Sequence, residues 1–183
     1  MRNKRALWVA LLVLGILAVP LTLVISNELK LADEEYVFKF KCEARDPIDV
    51  MRGRYIRLTF NNTIEDSTSK LKTLPVGSKA YVTVTRDANG WGVFQAISES
   101  VPDHAAYFET QVMYSWDHFI RFTIPFDKFY MNEEDAPRAE NVYREGIQGN
   151  TEVYAEVTIK NGTCLLREVY INGETMHNYL QSH

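Results

Sequence analysis

Hydrophobic residues form one long uninterrupted run near the start of the chain and many short alternating runs after it. The long run, residues 6–25, contains no charged residue and matches the roughly 20 residues that a helix needs to span a bilayer core. Three basic residues, Arg2, Lys4 and Arg5, precede the run, and basic residues stay on the cytoplasmic side of a membrane. The pattern predicts a transmembrane helix over residues 6–25, with residues 1–5 as a cytoplasmic tail.

A cleaved signal peptide is the alternative interpretation of the same run, because signal peptides also place basic residues before an apolar stretch. The run is long for a signal peptide, and the residues after it offer no typical cleavage site between small side chains. We therefore favour an uncleaved anchor. Residues 26–35 then form a polar stalk, and residues 36–183 form an exported domain.

The predicted exported domain alternates hydrophobic and polar residues, which is typical of half-buried β-strands. Turn sequences separate the alternating segments, and Asn161-Gly162 is the strongest two-residue hairpin signal among them. Residues 62–72 are polar and predict a loop. The segments that predict strands or hairpins are 36–44, 55–61, 80–85 with 91–97, 107–124, and 151–160 with 163–171.

One segment of the exported part has the pattern of a helix. Asp135 can cap its start, Pro137 fits the first turn, and a short apolar stripe ends near Gly146. The sequence as a whole predicts an α+β fold that is mainly antiparallel β. It has six to seven strands in a sandwich- or barrel-like arrangement and one or two short helices, after the N-terminal transmembrane helix.

Charge excludes one class of partner. The chain has 20 Lys and Arg residues against 24 Asp and Glu, and three of the basic residues precede the apolar run. The part after residue 25 therefore has 17 basic and 24 acidic residues, a net charge of −7. Nucleic-acid binding needs a basic surface, so the composition argues against it.

Two cysteines, Cys42 and Cys164, leave two alternatives open. An exported chain lies in an oxidising compartment, where the two thiols could form one disulfide. Both residues also fall in segments that predict strands, where a small buried thiol is the commoner state.

No spacing in the sequence predicts a catalytic or cofactor site. The four histidines share no ligand-like spacing, and there is no serine elbow for nucleophilic catalysis. The nine glycines are single residues rather than a phosphate-binding loop. An acidic run, Glu133, Glu134 and Asp135, begins the predicted helix, where it complements the helix dipole. We predict no catalytic residue, no metal ligand and no cofactor.

The stretch "ARDPIDVMRGRYIRLTF", residues 44–60, carries the most informative cluster of charges. Its first half is a charged turn, and its second half alternates as a strand. Arginines bind carboxylates and phosphates with two parallel hydrogen bonds, so Arg52, Arg54 and Arg57 could form a recognition surface. The alternative is a solvated turn whose ion pairs contribute little, about 0–1 kcal/mol each.

The same stretch resembles the signature of the GDYXXLXY proteins, a bacterial family of uncharacterised function. The chain keeps Gly53, Tyr55 and Leu58 of that signature. It has Arg54 where the family has Asp, and Phe60 where the family has Tyr. The charge is reversed at Arg54, so a role of the family's Asp does not transfer.

The resemblance covers most of the exported part. Asp46-Pro47 and Arg52 look like the family's approach to the motif, and weaker similarity continues to residue 173. Tyr55 and Leu58 are three residues apart and lie on opposite faces of a strand, which suits a strand covered on both sides. We interpret Gly53, Tyr55, Leu58 and Phe60 as structural residues. Arg52 and Arg57 remain as the candidate recognition surface.

The resemblance also implies a setting for the protein. Proteins of this family look like membrane-anchored envelope proteins, encoded beside or fused to polytopic membrane proteins. We therefore expect a single-pass protein of the bacterial inner membrane, with a periplasmic or extracytoplasmic main domain that binds a polytopic membrane partner and is not an enzyme. Two alternatives stay open. One is an envelope hydrolase that uses Glu133–Asp135 with Arg52 or Arg57, and the other is a β-domain that binds a small ligand in a barrel interior.

Overall fold

β-strands make up most of the chain that the structure describes, in line with the alternating pattern of the sequence. The computed structural model describes residues 34–43, 55–65, 74–103, 106–116, 119–149 and 151–183, and the predicted transmembrane run lies outside them. None of the helices in these ranges is long and apolar enough to cross a membrane. Tyr36–His183 form one compact unit.

The described residues form eleven strands and two α-helices. Four of the strands have only two or three residues, which explains why the sequence predicts no more than seven. A short 3-10 turn, Glu34–Tyr36, precedes the first strand. The elements are β1 Val37–Lys41, β2 Tyr55–Arg57, β3 Thr63–Glu65, β4 Lys79–Arg86, β5 Gly92–Ser98, β6 Tyr107–Trp116, β7 Phe119–Phe122, β8 Lys128–Tyr130, α1 Ala136–Gln148, β9 Val153–Lys160, β10 Thr163–Ile171, β11 Glu174–Thr175 and α2 Met176–Ser182.

The strands form a nearly closed, barrel-like arrangement. Three antiparallel groups are present, in the orders β1-β9-β10-β11, β3-β7-β6-β4-β5 and β2-β8. Isolated bridges between Lys39 and Trp91 and between Phe108 and Gly162 join the two larger groups. The prediction of a mainly antiparallel fold, sandwich- or barrel-like with one or two short helices, is therefore confirmed for the described residues, which form a barrel-like sheet and two α-helices.

The predicted hairpins are confirmed, and the β4–β5 and β9–β10 turns have the expected backbone. Asn161 and Gly162 have φ values of 49° and 84°, and this left-handed pair joins β9 to β10. In the β4–β5 turn, the Asp87 carboxylate accepts hydrogen bonds from the backbone N–H groups of Asn89 and Trp91, both at 2.8 Å. These turns set the registers of the two hairpins.

Three details of the sequence-based prediction are wrong. The strand predicted over residues 55–61 ends at Arg57, although Leu58 N–H still donates to the Asp127 carbonyl at 2.8 Å. The polar segment predicted as a loop contains β3. Helix α1 continues past Gly146 to Gln148, because Gly146 packs closely on β9 instead of ending the helix. A Cβ atom at Gly146 would lie 3.0 Å from the Val153 side chain.

The interior of the barrel is filled by aromatic rings. Phe40 lies at the centre, with ring centroids 5.0 Å from Phe94, 5.5 Å from Phe126, 6.2 Å from Phe60 and 6.4 Å from Phe38. Offset and edge-to-face contacts of this kind add stability beyond their buried area. An interior packed with side chains gives no support to the alternative of a ligand-binding barrel.

Candidate recognition surface

The signature strand, residues 55–60, of which 55–57 form β2, shows the alternation that its sequence predicts. Residues 56, 58 and 60 are buried, and residues 55, 57 and 59 are half-buried. On the buried side, Leu58 is only 2% exposed, and the Phe60 ring packs edge-on against Phe126 at 5.5 Å. Leu58 and Phe60 therefore belong to the hydrophobic core.

The other side of β2 faces outward and forms a small aromatic and cationic surface with β8. The register pairs Tyr55 with Tyr130 and Arg57 with Lys128, so the four side chains lie on one face. The rings of Tyr55 and Tyr130 are 5.6 Å apart, and the Lys128 ammonium is 5.4 Å from the Tyr55 ring centre. We call these four residues the β2–β8 face.

The exposure of the β2–β8 face distinguishes Tyr55 from the other signature residues. Tyr130 is 67% exposed, and Tyr55 beside it is half-buried. The sequence predicts a packing role for Tyr55 on a strand covered on both sides, whereas its ring lies on the partly exposed side. Tyrosine is enriched at protein interfaces because its ring is apolar and its hydroxyl is polar.

Arg57 has a carboxylate neighbour on this face. Its Nε atom lies 3.5 Å from Asp127 Oδ2, and both side chains are about one third exposed. An ion pair at this exposure contributes little to stability. Its effect is to orient the guanidinium group beside Lys128. Of the other predicted site and motif residues, Arg52, Asp46, Pro47 and Gly53 lie outside the described residues.

The acidic run proposed for a hydrolase does not supply the carboxylate that pairs with Arg57. Glu133, Glu134 and Asp135 lie between β8 and α1, and the carboxylate beside Arg57 belongs to Asp127. Asp135 stands at the N-cap position, but its side chain makes no capping hydrogen bond. In the described ranges, no three His, Cys, Asp or Glu side chains are grouped as metal ligands would be.

A hydroxyl group from α1 holds the signature strand in place, and the sequence does not predict this contact. Tyr143 Oη accepts a hydrogen bond from Thr59 N–H at 3.2 Å and donates to the Glu43 carbonyl at 3.5 Å. Glu43 N–H in turn donates to the Thr59 carbonyl at 2.8 Å. The helix therefore fixes the end of the signature strand against the end of β1. The only sequence signal is that Tyr143 belongs to the apolar stripe of the helix.

The structure does not bring Cys42 and Cys164 together. Both are free thiols. Cys42 N–H donates to the Val153 carbonyl, and Cys164 pairs with Ile159, so the two lie six residues apart along β9, roughly 20 Å. A disulfide requires Cα atoms within about 7 Å. The structure shows two unpaired thiols, and both cysteines are half-buried.

Burial raises the pKa of both thiols from 9.0 to about 12, although a Tyr143 hydrogen bond opposes the shift at Cys42. We expect both to react with iodoacetamide at pH 8 at least about a hundredfold more slowly than an exposed thiol, because the thiolate is the reactive species. The matched control is the exposed thiol of a Thr163→Cys variant. Equal rates for all three thiols would contradict this.

The same shift predicts how stability depends on pH. Below pH 9 the thiols are protonated in the folded and unfolded states, and their effect on stability is constant. Between pH 9 and about 12, the unfolded chain ionises its thiols first. The contribution of the buried thiols to stability is therefore lost as the pH rises through this window.

Comparison with known proteins identifies the family of the chain. A family model described as "GDYXXLXY protein" matches residues 16–169, which is most of the chain and includes the signature strand. No curated protein and no solved structure matches the chain significantly. The chain belongs to the GDYXXLXY family.

Proposed function

We propose that this protein is a single-pass, membrane-anchored protein of the bacterial inner membrane whose exported domain binds a polytopic membrane protein and catalyses no reaction. The single observation that carries the proposal is the β2–β8 face. It places the signature Tyr55 beside the exposed Tyr130 and two cations, rather than in the core.

The chemistry of the β2–β8 face suits a protein partner. Tyrosine and arginine contribute a large share of binding energy at interfaces, and Arg57 and Lys128 can pair with acidic groups of a partner. The two cations lie on a domain, residues 36–183, that has 16 basic and 20 acidic residues and a net charge of −4, so the face differs locally from the rest of its surface. We propose a partner surface that offers apolar groups together with carboxylates.

The predicted anchor would favour such a complex. A stalk of about ten residues spans at most about 35 Å, so the domain would stay near the bilayer. Confinement of two proteins to one membrane raises their effective concentration, and a modest interface then suffices for binding. The net negative charge also makes a protein partner more plausible than an anionic lipid surface.

Crosslinking in intact membranes, followed by detergent extraction and affinity recovery of the full chain, tests this function. We expect one polytopic membrane protein to be recovered with the chain at native expression level. The control is a fusion of residues 1–35 to an unrelated exported domain, which keeps the anchor but lacks the β2–β8 face. Recovery of the chain alone, or equal recovery of the same protein with the fusion, would overturn the proposal.

A further inference from the structure

A second surface, at the end of the β6–β7 hairpin, exposes large apolar side chains. Trp116 is 68% exposed, and Met113, Tyr114 and Phe119 are each about half exposed. Monomeric domains rarely expose several large apolar residues side by side, and such surfaces mark sites of interaction. We call these four residues the β6–β7 patch.

A β-bulge creates the patch. Along β6, Phe108, Thr110 and Val112 face the core at every second position, and continuation of this pattern would bury Tyr114 and Trp116. The register shifts between Val112 and Tyr114, so the later residues turn to the outer face. Bulges commonly redirect side chains in this way at functional positions.

The strand registers show which side chains surround the patch. Trp116 pairs with Phe119, which pairs with Glu65 on β3. In the next row, Tyr114 pairs with Arg121, which pairs with Thr63. Ile64 and Ile120 between these rows are buried, so the two rows lie on the outer face. Arg121 and Glu65 are both exposed there.

We propose that the β6–β7 patch binds the same patch of a second copy of this chain. A two-fold symmetric interface brings a surface against itself, so it needs groups that complement each other. The patch has this property together with its described border, because its aromatic rings lie beside a cation, Arg121, and an anion, Glu65. Arg121 of one copy can then lie against Glu65 of the other.

The area of the patch fits a weak dimer. Three aromatic side chains of about 150–250 Å² each, exposed by half to two thirds, offer on the order of 300–400 Å² per copy. Met113 and the bordering Thr63, Glu65 and Arg121 extend this toward the roughly 600 Å² per partner of the smallest stable interfaces. Two copies anchored in one membrane would associate through such an interface because their effective concentration is high.

This inference goes beyond the proposed function and does not depend on it. The β2–β8 face and the β6–β7 patch lie at opposite ends of the ribbon formed by residues 55–65 and 119–130. One surface can therefore bind a partner while the other binds a second copy.

Thiol crosslinking of the full chain in native membranes tests the dimer. We would replace Thr63, which borders the patch, by cysteine and treat the membranes with a short bis-maleimide, with the exposed Thr163→Cys on β10 as the control. Native Cys42 and Cys164 are half-buried, and the wild-type chain serves as the blank for their reaction. We expect about tenfold more crosslinked dimer from Thr63→Cys than from Thr163→Cys.

Four further variants in the Thr63→Cys background test the contacts. Trp116→Ser should lower the dimer yield at least about tenfold, as loss of a central interface tryptophan does, whereas Tyr130→Ser should not change it. Arg121→Glu should also lower the yield, and addition of Glu65→Arg should restore it. Resistance of each variant to pulse proteolysis shows that it is folded.

Several outcomes would overturn the dimer. Equal dimer yields from the Thr63→Cys and Thr163→Cys variants would do so, as would a failure of the double charge reversal to restore the yield.

Thr63→Cys adducts with a different protein would assign the patch to that partner. In a Trp8→Phe, Trp91→Phe variant reconstituted with brominated lipids, quenching of Trp116 fluorescence would assign the patch to the bilayer. Dimer loss with unchanged recovery of a membrane partner would leave the proposed function standing.

Discussion

Phe40→Ala should lower the free energy of unfolding by about 3–5 kcal/mol, the usual cost of truncating a large buried aromatic side chain. The ring is 3% exposed and contacts four other phenylalanine rings, so its removal leaves a cavity that those rings cannot close by small shifts. Gly92 reinforces this packing, because a Cβ atom there would lie 2.9 Å from the Phe40 ring.

Pulse proteolysis of the full chain in urea and mild detergent would measure this loss. Phe119→Ala is the matched control, since it removes the same side chain from an exposed position and should cost less than about 1 kcal/mol. A cost below about 1 kcal/mol for Phe40→Ala as well would show that the aromatic cluster is not the core of the domain.

Leu58→Ala and Tyr55→Ser should separate the two sides of the signature strand. Leu58 is 2% exposed, and its truncation should cost about 2–5 kcal/mol of unfolding free energy. Tyr55 is half-buried on the outer face, so its replacement should cost less than half as much. Recovery of a membrane partner should fall with Tyr55→Ser although the domain remains folded.

Chemical denaturation of both variants, with partner recovery measured in parallel, checks this contrast. Arg57→Gln is a useful companion, because it removes the charge beside Asp127 and keeps much of the side chain. An equal loss of stability in Tyr55→Ser and Leu58→Ala would mean that the whole signature is structural. The β2–β8 face would then lose its support as a binding surface.

The sequence predicts those parts of the fold that depend on local patterns. The alternation around Leu58 and Phe60, the Asn161-Gly162 hairpin and the start of α1 follow from side-chain period and turn chemistry. Each is decided by neighbours in the chain, so no long-range contact is needed to predict it.

The sequence does not predict features that depend on distant contacts. Helix α2 has only seven residues, and its one local signal is Thr175, whose hydroxyl accepts a hydrogen bond from Asn178 N–H at 3.3 Å. The bulge before Tyr114 is a property of how β6 pairs with β7, and alternation alone would place Tyr114 and Trp116 in the core.

The candidate site also has one part that the local sequence predicts and another that depends on distant contacts. The cationic character of the signature stretch is visible in its sequence through Arg57. The pairing of β2 with β8 then adds Lys128 and Tyr130, more than 70 residues away in the chain. The contact of Arg57 with Asp127 is likewise set by tertiary structure. A recognition surface built from two distant strands cannot be assembled from the pattern of either strand alone.

The central claim is that the β2–β8 face binds a membrane partner. The most direct test crosslinks the full chain in membranes and measures how much of the partner is recovered with the wild type and with two variants. The claim predicts equal recovery by wild type and by Leu165→Ser, which alters an exposed leucine on β10 outside the β2–β8 face. It predicts about tenfold lower recovery by a Lys128→Glu, Tyr130→Ser double variant, as expected when an exposed aromatic contact and a charge contact are both lost. Equal recovery by the double variant and wild type would contradict the claim that the β2–β8 face binds the partner.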